Sequence, residues 1–139
     1  MGTVIIKLAD HYLEWSSIVD APVTFGMTLE ELNEHVREEL GAEGLRRLPA
    51  RLERVERQGH SGFHGEGVDG IIWLNRAGPG ETPLSKAEIV EWFVRRRKNP
   101  TKAEIDERRA SLPKCDPCTY IDGMSTCGCW GTGVIDGDR

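Results

Sequence analysis

The sequence predicts an α+β fold, and three features of its 139 residues carry that prediction. β-branched and aromatic residues cluster in two short segments near the N-terminus, which is typical of a β-hairpin. Farther along, apolar residues recur at helical spacing behind helix-capping motifs. The only four cysteines of the chain lie close together near its C-terminus. We therefore expect an α+β body of one hairpin and three or four helices over residues 1–113, followed by a zinc knuckle over residues 114–139.

The hairpin is predicted from composition. Residues 3–8 and 12–19 are rich in β-branched and aromatic side chains, and the Ala-Asp-His sequence between them suits a turn. Asp20 and Pro22 should end the second strand, because proline cannot donate to a sheet. Residues 23–25 are then expected to extend the sheet.

Two helical patterns follow the hairpin. Thr28 and Glu31 have the spacing of a capping box, in which each side chain bonds the backbone of the other residue. We expect this first helix to end at Gly41. A second pattern, divided by Pro49 into a turn and a helix, should end at Gly59. The apolar stripes of the two patterns are Leu29, Leu32, Val36 and Leu40, and then Leu45, Leu48, Leu52 and Val55.

Three further elements are predicted before the tail. Residues 68–76 form an apolar segment that fits either a buried strand or a short helix. Ser85 with Glu88, and Thr101 with Glu104, repeat the capping-box spacing and should each begin a helix. The first of these helices should bury one apolar face, and the second is short and polar. That buried face contains Ile89, Trp92 and Phe93.

The cysteines have the spacing of metal ligands. Two residues separate Cys115 from Cys118, and one residue separates Cys127 from Cys129. Thiolates are soft ligands, and Zn²⁺ binds four of them in a tetrahedron. A site in which all four ligands are protein sulfurs keeps no open position for water, so this site would be structural. We expect one zinc ion on Cys115, Cys118, Cys127 and Cys129.

Disulfides and unligated thiols are the alternatives to zinc. Disulfides need an oxidising compartment, and residues 1–8 lack the basic segment and long apolar run of a secretory signal. No apolar run approaches the roughly 20 residues of a membrane-spanning helix. We therefore expect a reducing, cytoplasmic location, without membrane association.

The end of the cysteine cluster resembles part of a known zinc domain. The sequence Cys129-Trp-Gly-Thr-Gly is similar to the second half of a CxxCxGxG repeat of DnaJ-type chaperones. The likeness covers about one repeat. The first cysteine pair lacks the following Gly-x-Gly, and the second pair is one residue short. The resemblance implies zinc binding, and these departures argue against the chaperone function.

A second resemblance concerns the first half of the chain. The segment from Tyr12 to Thr28, which reads YLEWSSIVDAPVTFGMT, looks like the opening of small accessory proteins from actinobacteriophages, the phages of actinobacteria. The resemblance implies a protein that acts in the cytoplasm of an infected bacterial host. It also implies a host or phage protein as its partner, because such accessory proteins often bind and modify a cellular machine.

Two features are candidates for contact with that partner. Trp130 lies on a tail too small to bury it alone, so it either packs onto the body or is presented to a partner. A basic run lies at the end of a predicted helix, where positive charge also interacts well with the helix dipole. That run consists of Arg95, Arg96, Arg97 and Lys98.

No motif predicts a catalytic residue. The chain lacks the Gly-Lys-Ser/Thr ending of a phosphate-binding loop and the Gly-x-Ser-x-Gly turn of hydrolases. The leading prediction is a non-enzymatic protein that binds and modulates a macromolecule. One alternative is a nucleic-acid-binding regulator, although the net charge of −5 opposes it. The other is a small hydrolase or nuclease that uses the loop from His60 to Asp69, which also holds His64 and Glu66 and which we expect to be exposed and irregular.

Overall fold

A three-stranded antiparallel sheet with four α-helices confirms the α+β prediction. The computed structural model describes residues 3–62, 67–115, 129–130 and 132–134. The sheet order is β1-β2-β3. The strands are β1 (Thr3–Leu8), β2 (His11–Ser16) and β3 (Ala21–Pro22). The helices are α1 (Leu29–Gln58), α2 (Val68–Ile72), α3 (Lys86–Ile89), which continues as a π-helix (Val90–Arg95), and α4 (Lys102–Ala110), with a 3₁₀ turn at Pro79–Glu81.

The predicted hairpin is present, with a tight turn. Ala9 and Asp10 both have positive φ, at 48° and 62°, as the two central residues of a type I′ turn require. β2 ends at Ser16, three residues earlier than predicted. The Ser16 hydroxyl accepts hydrogen bonds from the amides of Ile18 and Val19, and this side-chain turn replaces further strand pairing.

The third strand begins two residues earlier than predicted. Ala21 and Pro22 pair with β2, whereas residues 23–25 do not form a strand. Val23 still donates its amide to the carbonyl of Glu14, at 2.8 Å. Proline is tolerated here because β3 is the edge strand of the sheet, where no further strand needs its missing N–H.

Both faces of the sheet are covered. Side chains alternate across it, so that Ile5 and Tyr12 pack with α1 on one face. Leu13 and Trp15 face the other way and pack with the helices of the C-terminal half. The larger of the two hydrophobic clusters lies on that second face. Its buried members are Ile6, Leu8, Leu13, Trp15, Ile72, Leu84, Ile89, Trp92, Phe93, Val94, Ile105 and Trp130.

Helix α1 begins at its predicted capping box and is interrupted at Gly41. The Thr28 hydroxyl accepts from the Glu31 amide, and the Glu31 carboxylate accepts from the Thr28 amide. Gly41 has φ of 65°, which breaks the helical path where the sequence predicted an end. The chain turns so sharply there that a Cβ atom on Gly44 would lie 2.3 Å from Cβ of Leu40.

The prediction that Pro49 divides the second helical segment is wrong. Pro49 lies inside the helix, which ends at Gly59 with φ of 89°, as predicted. Proline removes one backbone hydrogen bond, but the buried Leu48 and Val55 hold the helix on both sides of it. Among the described residues, neither α1 nor any other helix is long and apolar enough to cross a membrane.

The C-terminal half is built from short elements. Residues 68–76 begin as helix α2, which decides between the two predicted alternatives. Both remaining capping boxes are present, at Ser85 and at Thr101. A buried ion pair joins their helices: Arg109 donates to both carboxylate oxygens of Glu88, at 2.8 Å each, and to the carbonyl of Pro83.

We expect the Glu88–Arg109 pair to be essential for stability. The Glu88 side chain is fully buried and that of Arg109 is 19% exposed, so Arg109→Ala would strand a buried carboxylate. The free energy of unfolding should fall by about 3–5 kcal/mol in urea denaturation. The control Lys102→Ala removes an exposed pair with Asp106 and should cost less than about 1 kcal/mol. Equal effects of the two substitutions would contradict a structural role for the buried pair.

Candidate functional site

Two of the four cysteines lie in described parts of the tail, and the backbone draws their segments together. Lys114 and Val134 form an antiparallel β-bridge. Next to it, the amide of Cys115 donates to the carbonyl of Gly133, at 2.9 Å. This pairing brings the first cysteine alongside the segment that follows Cys129. Cys118 and Cys127 lie outside the described residues.

A tight turn fixes the segment after Cys129. The amide and the hydroxyl of Thr132 both donate to the carbonyl of Cys129, at 3.0 and 2.7 Å. Cys129 itself is buried, and Cys115 is half-buried. In the described ranges no three His, Cys, Asp or Glu side chains are grouped to hold a metal. These ranges contain two of the four predicted zinc ligands, Cys115 and Cys129.

Trp130 packs onto the body. Its indole is 1% exposed and stacks on Trp73, with ring centroids 4.4 Å apart and an interplanar angle of 25°. Of the two alternatives that the sequence left open, packing onto the body is therefore the one that the structure has. The expectation that Trp130 contacts a partner does not fit this position, because almost none of its surface is accessible.

The basic run is exposed, but acidic partners surround it. Arg97 makes a two-pronged contact with Glu31, at 3.0 and 3.3 Å, which joins the end of the π-helix to the start of α1. Backbone hydrogen bonding at Thr28, and then Arg97, hold the pKa of the Glu31 carboxyl below its ordinary value. Lys98 donates to both oxygens of Glu104, at 2.7 Å each.

The other two members of the run share one acid. Arg96 donates to Glu91 at 2.7 Å, and Arg95 lies 3.9 Å from the same carboxylate. Arg96 also lies over the ring of Trp92, 4.6 Å from its centroid. The four positive charges thus meet three carboxylates within the protein. Little net charge remains for a polyanion, so the geometry weakens the nucleic-acid alternative.

An open cavity of about 650 Å³ lies between the hairpin turn and the end of the π-helix. Its lining includes Asp10 and His11 from the hairpin and Arg95 and Arg97 from the basic run. His11 is engaged through Nδ1 with the carbonyl of Ala9, at 2.8 Å. The cavity has both signs of charge and no pairing of a nucleophile with a base, so it does not form a catalytic set.

His60 is not in an exposed loop, contrary to the prediction. It is fully buried and forms a β-bridge with Ile6 along the outer edge of β1. The amide of Gly62 bonds its Nδ1, at 3.1 Å. Ser61 completes this edge, since its hydroxyl and its amide pair with the amide and the carbonyl of Ile5. Backbone pairing, which the sequence did not reveal, therefore orders residues 59–61.

The hydrolase alternative loses its accessible histidine. A fully buried imidazole cannot reach a solvent-borne substrate, and Asp69 is engaged with Lys86 at 2.8 Å. His64 and Glu66 lie outside the described residues. Within the described part of the chain, the loop from His60 to Asp69 therefore offers no assembled acid–base pair.

A half-buried charged group lies between β2 and α1. His35 Nε2 is 3.4 Å from Glu14 Oε2, although the two are too poorly aligned for a hydrogen bond. Arg51 approaches the same place from the second half of α1. Burial lowers the pKa of its guanidinium, while Glu14 opposes that shift. Side chains from both halves of α1 therefore lie near one carboxylate of the sheet.

An exposed apolar turn, which was not predicted from the sequence, connects β2 and β3. We define the apolar turn as residues 17–20. Ile18 is 81% exposed and Val19 51% exposed, the largest exposure of adjacent apolar side chains among the described residues. The carbonyl of Asp20 accepts from the amide of Arg76, at 2.7 Å, which fixes the end of the turn. The sequence signal was the strand-breaking Asp-Ala-Pro directly after Ile-Val, which places both side chains outside the sheet.

Comparison of the chain with protein-family models, with curated proteins and with solved structures finds no match.

The Lys98–Glu104 contact should make the stability of the fold depend on pH. Hydrogen bonding by Lys98, followed by the Thr101 amide, lowers the pKa of Glu104 from 4.5 to about 2. A lowered carboxyl pKa stabilises the fold above pH 4.5, and this contribution is lost as the pH falls toward 2. Lys98→Met should raise the pKa of Glu104 toward 4.5 in a carboxyl NMR titration, and Lys102→Met, the control, should leave it unchanged. An unchanged pKa in Lys98→Met would show that this pair does not form in solution.

Proposed function

We propose that this protein is a non-enzymatic protein-binding module that contacts its partner through the apolar turn, and whose tail is held by a structural zinc ion. The observation that carries the proposal is the adjacent exposure of Ile18 and Val19 on a fixed turn. Single exposed apolar residues are ordinary on protein surfaces, whereas contiguous exposed apolar surface marks contact sites.

The turn is ordered before any partner arrives. The Ser16 hydroxyl accepts from two of its amides, and Asp20 is tied to Arg76 at the other end. Rigid contact residues lose little conformational entropy on binding, so more of the burial energy appears as affinity. Burying apolar surface contributes roughly 25 cal/mol per Å², and two aliphatic side chains therefore form a useful anchor.

The geometry favours insertion of a side chain over pairing of strands. The exposed edge of the sheet is β3, which has only two residues, one of them Pro22. Proline lacks the N–H that an added strand would need. The partner that fits is a folded protein with an apolar groove that accepts Ile18 and Val19. The actinobacteriophage resemblance points to a host or phage protein in the cytoplasm of an infected bacterium.

Charge makes nucleic acid a less favourable partner than a protein. The net charge is −5, and the members of the basic run face Glu31, Glu91 and Glu104. Exposed ion pairs are weak, so a polyanion can compete for them. A bound polyanion would, however, leave these three carboxylates unpaired and close to its own negative charges, which would repel them. A protein partner that buries an apolar turn has no such cost.

Zinc is proposed from the chemistry of the donors and the path of the backbone. The bridge of Lys114 with Val134 brings Cys115 beside the segment that follows Cys129. This arrangement supports a site in which two short cysteine pairs meet around one ion. Cys118 and Cys127 would supply the remaining sulfurs. Such a site would act as a clamp, since four protein ligands leave no position for a substrate.

Metal analysis tests the zinc proposal. Protein purified under reducing conditions should contain about one zinc per chain by mass spectrometry, because four thiolates bind zinc tightly at neutral pH. Cys115→Ser should lower that content well below one, whereas Ser111→Ala, a nearby control, should not. A metal content near zero, together with two disulfides in the same preparation, would contradict the proposal.

Variants of the apolar turn test the proposed function. The double variant Ile18→Ser with Val19→Ser removes the apolar anchor, so it should lose at least about tenfold in apparent affinity for a partner captured from a bacterial lysate. Leu29→Ser is a matched control, since Leu29 is 48% exposed and lies elsewhere on the surface. The affinity would be measured by titrating immobilised protein with the recovered partner.

Two outcomes would contradict this function. In the first, the double variant and Leu29→Ser bind the partner equally well, which would place the contact elsewhere. In the second, the capture disappears after nuclease treatment, falls steeply with salt and persists in the double variant. That combination would support the nucleic-acid alternative, because phosphate contacts and not apolar burial would then hold the complex.

A further inference from the structure

We infer that the partner inserts a tyrosine side chain, an aromatic ring with a hydroxyl, into a pocket near the apolar turn. This inference rests on the proposed function and adds a second contact to the same surface. The pocket lies at the end of β3 and has a volume of about 200 Å³. It is lined by Pro22, Val23, Thr24, Phe25, Phe93 and Asn99.

The pocket and the apolar turn are close enough for one partner to cover both. Val23 follows Val19 by four positions, and four residues span at most about 14 Å even when the chain is fully extended. A typical interface buries about 800 Å² on each partner, which corresponds to a patch about 30 Å across. Val23 is itself 51% exposed, so exposed apolar side chains lie both before and after β3.

Hydrogen bonds fix the walls of the pocket before any partner binds. The amide of Val23 donates to the carbonyl of Glu14 at 2.8 Å, and the Thr24 hydroxyl accepts from the Glu14 amide at 3.0 Å. A third bond, from the amide of Gly26 to the carbonyl of Phe93 at 2.7 Å, joins this segment to the π-helix. The pocket therefore loses little conformational entropy when a side chain enters it.

The size and the lining of the pocket favour a single aromatic side chain. Drug-sized ligands occupy about 300–1,000 Å³, which exceeds the volume of this pocket. Phe25 and Phe93 contribute two rings, whose centroids lie 5.9 Å apart at an interplanar angle of 33°. Aromatic rings attract each other in offset and tilted arrangements beyond the burial of their area. A third ring is therefore the apolar group that fits this lining.

Asn99 adds a polar requirement. Its side chain is exposed, and no described residue forms a hydrogen bond with it. Its backbone is held on both sides, because the Lys98 amide donates to the carbonyl of Trp92 at 3.0 Å and Pro100 is buried. The amide of an asparagine side chain both donates and accepts, so it can bond a hydroxyl in either direction. A phenol ring therefore meets both requirements, whereas a phenylalanine ring meets only the aromatic one.

Capped amino acids test the chemistry of the pocket in the full-length protein. N-acetyl-tyrosinamide should shift the amide NMR signals of Val23, Thr24 and Phe25 in a saturable way, with a dissociation constant on the order of 1 mM. N-acetyl-phenylalaninamide should bind at least about threefold more weakly, because it lacks the hydroxyl. N-acetyl-alaninamide, the control for the backbone groups of the probe, should cause no saturable shift.

Asn99→Ala tests the polar requirement and connects the pocket to the partner. This variant should lose the preference for the tyrosine derivative over the phenylalanine derivative. Asn33→Ala is the matched control and should retain it, because Asn33 lies on α1 and bonds the carbonyl of Leu29. Asn99→Ala should also bind the recovered partner at least about threefold more weakly. Excess N-acetyl-tyrosinamide should compete with that partner for the wild-type protein.

Two results would overturn the inference. One is the absence of saturable shifts at residues 23–25, or equal binding of the tyrosine and phenylalanine derivatives. The other is an affinity for the partner that changes neither in Asn99→Ala nor with excess N-acetyl-tyrosinamide. If the serine variants of the apolar turn still lose the partner, these results refute only the pocket contact. If the serine variants bind it normally, the proposed function itself is wrong.

Discussion

Coverage of the small sheet on both faces is the constraint on which the rest of the structure depends. Three strands cannot enclose a core by themselves, so each face needs its own layer. Helix α1 supplies one layer, and it has to fold back at Gly41 to do so. The short helices of the C-terminal half supply the other, together with Trp130 from the tail. Residues 59–61 pair with the outer edge of β1. The start of the glycine-rich segment is therefore part of the fold.

Local signals in the sequence predicted the fold well. All three capping boxes are present, and the hairpin turn and both terminal glycines of the helical patterns lie where composition placed them. Each of these features depends on residues no more than four positions apart. The errors arose where tertiary contacts outweighed local preference. Pro49 is tolerated inside α1 because the helix is buried on both sides of it. The strand that was predicted at residues 23–25 forms instead at Ala21–Pro22.

The candidate site was harder to predict, for the same physical reason. One acidic partner of the basic run could not be predicted from local sequence, because Glu31 lies 66 positions before Arg97. Trp130 looked exposed because its stacking partner, Trp73, lies in another element. His60 looked exposed because its neighbours are glycines, yet it pairs with β1. The apolar turn was missed because Ile18 and Val19 have strand-like composition, although the Ser16 hydroxyl accepts from their amides and ends the strand before them.

The described part of the tail belongs to the core of the body. The second face of the sheet receives its last aromatic ring from the tail, so the tail helps to complete the core of the body. Arg76, three residues after Trp73, donates its amide to the carbonyl of Asp20, so the end of the apolar turn is bonded to this part of the body. The same indole stack therefore fills the core and holds the described part of the tail on the body.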